Sequence, residues 1–84
     1  MDQPSQRRSA RLARERADLA KAERDVVAGE MRVTRQMLRI EALRVGGHDT
    51  AQAERQLTVF EATLAEWNAH RAEILRTLEI LRDG

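Results

Sequence analysis

The apolar residues of the second half of the chain keep a three-then-four spacing: Leu57, Phe60, Leu64, Trp67, Ile74, Leu78 and Leu81, with Arg71 at the one polar place in the series. Side chains spaced this way share one stripe of an α-helix and occupy the a and d positions of a heptad, so a helix with one packed seam is predicted over residues 50–82. A matching line runs through the first half, with Leu12, Leu19, Val26, Val33 and Ile40 at strict seven-residue spacing. It predicts a first helix over residues 7–45. Between them, residues 46–49 read Gly-Gly-His-Asp. Either glycine suits a helix end with positive φ, and Asp49 with Gln52 three residues on has the form of a capping box that starts the next helix. Stop and start signals this close together make the two helices antiparallel neighbours.

The expected fold is therefore all-α: two long helices in an antiparallel coiled-coil hairpin, a single domain over residues 7–82. Residues 1–6 read as a flexible N-terminus, with Ser5 or Ser9 as the first helix's cap. Arms of about 35 residues imply a rod on the order of 50 Å long. Reversal near Gly47 pairs positions whose numbers add to about 93, so Ile40 meets Ala53, Val33 meets Phe60, Gly29 meets Leu64 and Val26 meets Trp67. Gly29 costs about 1 kcal/mol against alanine inside a helix. The hairpin supplies its reason, because Gly29 and Ala22 leave the space that Leu64 and Trp67 fill.

The first helix carries more apolar surface than one seam uses. Val27, Met31, Thr34, Leu38 and Val45 follow their own spacing, interrupted by Glu41, at b and f positions about 150° around the helix from the seam. An apolar stripe pointing at water marks a contact surface. The second helix has a counterpart in Ala62, Ala65, Ala69 and Ala72, where small side chains permit close helix approach, although alanine also fills exposed positions simply as a good helix former. Two hairpins packed through these faces would form a four-helix bundle.

Composition sharpens this picture. The 84 residues are 42% apolar and 35% charged, with Phe60 and Trp67 the only aromatic residues. Chains of this size bury only about 60% of their unfolded surface, so a lone hairpin has a thin core and self-association is the simplest remedy. Net charge is +1, yet residues 1–49 hold 11 Lys or Arg against 8 Asp or Glu, and residues 50–84 hold 4 against 6. Opposite signs favour pairing one arm with the other. There is no cysteine, which excludes disulfide and thiol chemistry. No apolar leader or membrane-length apolar run is present, and a cytoplasmic location is the resulting expectation.

Candidate chemistry is sparse. His48 lies in the turn and His70 on the second helix, with no spacing that gathers about four ligands for a metal. Arg71 at an a position is expected to lay its stem along Trp67 and Ile74 and reach Asp25 or Asp18 on the other arm, or to fix the pairing register. No nucleophile-base pair, phosphate loop or carboxylate pocket can be assembled, so neither enzymatic activity nor a cofactor, metal or small-molecule substrate is expected. Arg7, Arg8, Arg11, Arg14 and Arg16 crowd the start of the chain beside a single acid. Arg7, Arg11 and Arg14 share a helix face, and with Arg8 they are the candidate phosphate contacts, although aromatic residues for base stacking are missing.

The segment Gly47-His48-Asp49-Thr50-Ala51, followed by Ala53-Glu54, Leu57, Phe60-Glu61, Leu64, His70-Arg71 and Ile74-Leu75, resembles a group of short proteins of soil proteobacteria with a Gly-His-Asp-Thr turn between two helices. The resemblance spans roughly residues 26–78. It implies a helical hairpin in a bacterial cytoplasm and brings no activity or functional residue with it. The function expected from the whole sequence is a small non-enzymatic interaction or structural module that forms a homodimer or binds a partner protein through its second apolar face. The alternative is a nucleic-acid-associated accessory protein that uses its arginine-rich arm.

Overall fold

The computed structural model describes residues 3–83 and contains two helices, α1 (Gln3–Val45) and α2 (Ala51–Asp83). They pack against each other as an antiparallel hairpin, the all-α fold that the two heptad lines predict. The molecule measures 70 × 15 × 14 Å with a radius of gyration of 19.3 Å. A globular chain of this length would have a radius of about 12 Å, so the fold is a rod.

Its length exceeds the expected 50 Å because α1 runs for 43 residues, about 65 Å at 1.5 Å per residue, where an arm of about 35 was expected, and it starts at Gln3 instead of Arg7. Pro4 falls in the first turn, where the missing N–H has no partner to lose and the ring presets a helical φ. Residues 3–6 of the expected flexible start are thus helical, and Ser5 and Ser9 lie inside the helix instead of capping it. Residues 1 and 2 of that segment lie outside the described residues.

The turn is built as its residues dictate. Gly47 has φ 76°, its N–H donates to the Arg44 carbonyl at 3.0 Å, and the His48 N–H donates to the Leu43 carbonyl at 2.8 Å. This pair of bonds is a Schellman motif, which closes the last turn of α1 on a residue free to adopt positive φ. The Ala51 N–H then donates to Asp49 Oδ1 at 3.0 Å, so Asp49 satisfies a free N–H at the start of α2, but at Ala51 and not at Gln52 as the expected capping box has it.

Between the helices the seam follows the heptad. Ala22, Val26, Gly29 and Ile40 of α1 are buried with Ala53 and Ile74 of α2. Leu12, Leu19, Val33, Leu57, Phe60, Leu64, Trp67, Arg71, Leu78 and Leu81 are half-buried along the same line. Gly29 abuts Leu64 and Trp67 as the layer pairing requires: a Cβ there would lie 3.1 Å from Leu64 Cδ1 and 3.2 Å from the Trp67 ring. The Arg32 guanidinium stands 5.6 Å above the Phe60 ring. At the turn, Arg44 pairs with Glu41 at 3.0 Å on its own helix and with Glu54 of α2 at 3.6 Å. At the far end, Arg8 donates to the Leu81 carbonyl in the last turns of α2.

The seam also holds a residue that apolar periodicity passes over. Gln36 sits at the d position one heptad after Gly29 and is only 6% exposed. Its Nε2 donates to the Ala53 carbonyl at 2.8 Å and to Gln56 Oε1 at 3.2 Å. Arg71 is half-buried on the same line. It lines a shallow groove with Glu23, Glu30 and Asn68, whereas Asp25 is joined to Lys21 at 3.0 Å.

Candidate interaction surface

Once the seam is formed, the large side chains left facing water concentrate on α1. Val27 is 55% exposed, Met31 54%, Leu38 66% and Val45 79%. They share one side of the helix, with Thr34 and Glu41 on the intervening turns, because b and f positions of one heptad differ by only about 40° around the helix. Full burial of such side chains stabilises by about 1.5 to 3 kcal/mol each, so leaving four exposed forgoes a large share of the available hydrophobic stabilisation. A shallow apolar hollow opens in the same face, lined by Ala20, Glu23, Arg24, Val27, Ala28 and Met31. All six belong to α1, at the spacing of the four-residue holes that accept a side chain from a packed helix.

On α2, Ala62, Ala65 and Ala69 are exposed while Ala72 is half-buried. The geometry of the hairpin sets a limit on how these alanines relate to the α1 stripe. Each stripe lies about 150° from its own helix's seam, and the two seams face each other, so the stripes point outward on opposite edges of the rod. Two hairpins in a square four-helix bundle use faces about 90° apart on each helix. The two stripes of one hairpin therefore cannot both be covered by a single second hairpin, and the bundle expected from the pattern does not fit this geometry.

Apolar surface outside these stripes escaped the sequence reading. Met37 is 55% exposed, Val59 61% and Ile80 72%. Val59 and Ile80 occupy c positions of α2 beside the alanines, where they stand next to the seam residues Phe60 and Leu81 and form no apolar line of their own. Glu66 and Glu73 occupy the intervening c positions. On α1 the c column holds Arg14, Lys21 and Arg35. Along this c border the two outer faces thus carry opposite charge, whereas the other border of the α1 face mixes Arg16 and Arg44 with Glu23 and Glu30.

The remaining candidates separate. Arg7, Arg11 and Arg14 are exposed on the first turns of α1, whereas Arg8 is engaged with the Leu81 carbonyl as a cap for α2. His70 is exposed on α2, and His48 folds its ring beneath Gly46, where a Cβ would come within 2.9 Å of it. Among the described residues no three metal-ligating side chains gather, and no helix is long and apolar enough to cross a membrane. Comparison with protein-family models, with curated proteins and with solved structures finds no match to this chain.

Proposed function

We propose that the protein is a small non-enzymatic interaction module, a rigid helical rod that presents the outer face of α1 to another protein chain, either a second copy or a different partner. The observation that carries this reading is the run of Val27, Met31, Leu38 and Val45, each more than half exposed on one face of a helix whose opposite face already forms the hairpin. A monomer in water gains nothing from such a stripe, which lies off the seam.

A photoreactive side chain placed at Leu38, and at exposed His70 as a control, tests the reading in cells that make the protein. Crosslinks to protein are expected from position 38 and not from position 70. Equal, background-level crosslinking at both positions would overturn the assignment of this face.

A further inference from the structure

We propose that the outer face of α1 docks on the outer face of α2 of a second copy of this chain, so that hairpins join edge to edge in an open, head-to-tail array. The proposal rests on the reading of the α1 face as an interaction surface and names its occupant.

Three features converge on that occupant. The first is fit. Run antiparallel, the α1 stripe and the alanine stripe match turn for turn when paired numbers add to about 100: Val27 meets Ala72, Met31 meets Ala69, Thr34 meets Ala65 and Leu38 meets Ala62. Each larger side chain faces a methyl group, the complementarity that lets two helices approach closely. This register staggers neighbouring hairpins by about 10 Å along the rod, since pairing within a hairpin adds to about 93.

The second is charge. In an antiparallel pair c positions face c positions, so Arg35 comes opposite Glu66, Ala42 opposite Val59, Ala28 opposite Glu73 and Lys21 opposite Ile80, which gives this column one pair of opposite charge and none of like charge. Two α1 faces packed antiparallel would instead set the basic column of Arg14, Lys21 and Arg35 against its own copy. Packed parallel and in register, they would set Arg24 on Arg24 and Glu41 on Glu41 within the stripe. Two α2 faces would bring Glu66 and Glu73 against themselves. Each self-matched arrangement is penalised by like charges, while the α1-to-α2 arrangement is favoured. Its like-charge meetings, Arg24 with Arg76 within the stripe and Arg16 with Arg82 on its other border, fall beyond the alanines.

The third is placement. Donor and acceptor faces lie on opposite edges of the rod, so a docked pair still presents one free face of each kind. Such a contact is heterologous and propagates unless the copies curve round into a ring.

Two single-face variants test the proposal without disturbing the hairpin, because both residues are exposed and off the seam. Leu38→Glu blocks only the α1 face and Ala69→Glu only the α2 face, with far-UV circular dichroism confirming unchanged helix content. By analytical ultracentrifugation, the wild-type chain is expected to exceed a dimer as concentration rises, and each variant alone to stay monomeric. An equimolar mixture of the two is expected to form a one-to-one dimer that does not grow, since it retains one intact face of each kind. Arg76→Glu, which removes the like-charge meeting within the stripe, is expected to lower the concentration needed for assembly several-fold. Wild-type association that Ala69→Glu leaves intact while Leu38→Glu abolishes it would overturn the α2 occupant and leave the interaction face standing. A wild-type chain that remains monomeric at millimolar concentration, or a mixture that stays monomeric, would overturn the array. The crosslinking at position 38 judges the interaction reading separately.

Discussion

An alanine methyl at position 29 would lie 3.1 Å from Leu64 Cδ1 and 3.2 Å from the Trp67 ring, closer than relaxed packing allows. The substitution would otherwise stabilise α1 by about 1 kcal/mol through helix propensity. Leu64 can rotate its methyl aside, but the flat indole between the helices has less room to yield, so Gly29→Ala is expected to bring no net gain in urea unfolding. In a Trp67→Leu background the same change should recover most of that 1 kcal/mol, giving a coupling of comparable size in a double-mutant cycle. A full stabilisation by Gly29→Ala alone would show that Trp67 does not press on this glycine. The role of Gly29 is legible in the sequence because a weak helix former aligned with two large residues is a local contradiction that packing resolves. Gln36 is not legible in the same way, since a polar residue at a d position only weakens an apolar count. Its bonds depend on which residues of α2 stand opposite. Because the Ala53 carbonyl remains inside α2 and Gln56 can turn to water, Gln36→Leu should leave no buried polar atom unpaired and change stability by less than about 1 kcal/mol. What it should lose is register. A doubled Trp67 indole signal in the NMR spectrum of Gln36→Leu is the expected sign, and a single sharp signal would assign Gln36 no such role.

At the scale of the elements, α1 and α2 are long but unevenly supported. The reversal from one to the other rests on local bonds at Gly47, His48 and Asp49, and such bonds can be read from neighbouring residues alone. Gly47→Ala forces an L-residue into positive φ and should cost about 1 to 2 kcal/mol. Asp49→Ala should cost about 1 kcal/mol by leaving the Ala51 N–H uncapped. Thermal unfolding distinguishes these from Gly46→Ala, whose methyl presses on the movable His48 ring, meets the Ala42 carbonyl at an ordinary 3.5 Å and should cost less. The opposite end was less readable. Pro4 resembles a break in the sequence, although in the first helical turn it is compatible with the helix, and the tie from Arg8 to Leu81 joins residues remote in sequence. Among the described residues α2 ends at Asp83, and the pairing register sets none of them opposite the first turn of α1. Amide exchange should therefore be fast through the first turns of α1 and slowest from Ala22 to Ile40, where the buried positions cluster. Uniform protection along α1 would mean that something besides α2 covers its start.

At the scale of the whole molecule, the seam explains how the hairpin closes but not how it stays closed with so little inside. Among the described residues no large side chain is fully buried, and the buried set consists of Ala22, Val26, Gly29, Gln36, Ile40, Ala53 and Ile74. A rod only 15 × 14 Å across has no interior to add, so more burial has to come from its outer faces. Periodicity locates those faces on each helix. Their position on opposite edges emerges only when the two helices are set face to face, which is why a closed four-helix bundle looked acceptable from pattern alone. If the outer faces are covered in solution by other copies, association and folding share one free energy, and a chain at a hundred times its dissociation constant gains about 2.7 kcal/mol. The melting temperature of the wild-type protein should then rise with protein concentration over the range in which the sedimentation coefficient rises. Leu38→Glu should melt at a single temperature across that range, lying near the wild-type value at high dilution because the seam is untouched. A variant that melted well below the dilute wild type would place Leu38 in the hairpin's own stability, contrary to its 66% exposure. A wild-type melting temperature independent of concentration would mean that the thin seam is sufficient by itself, leaving the α1 face available to a different protein.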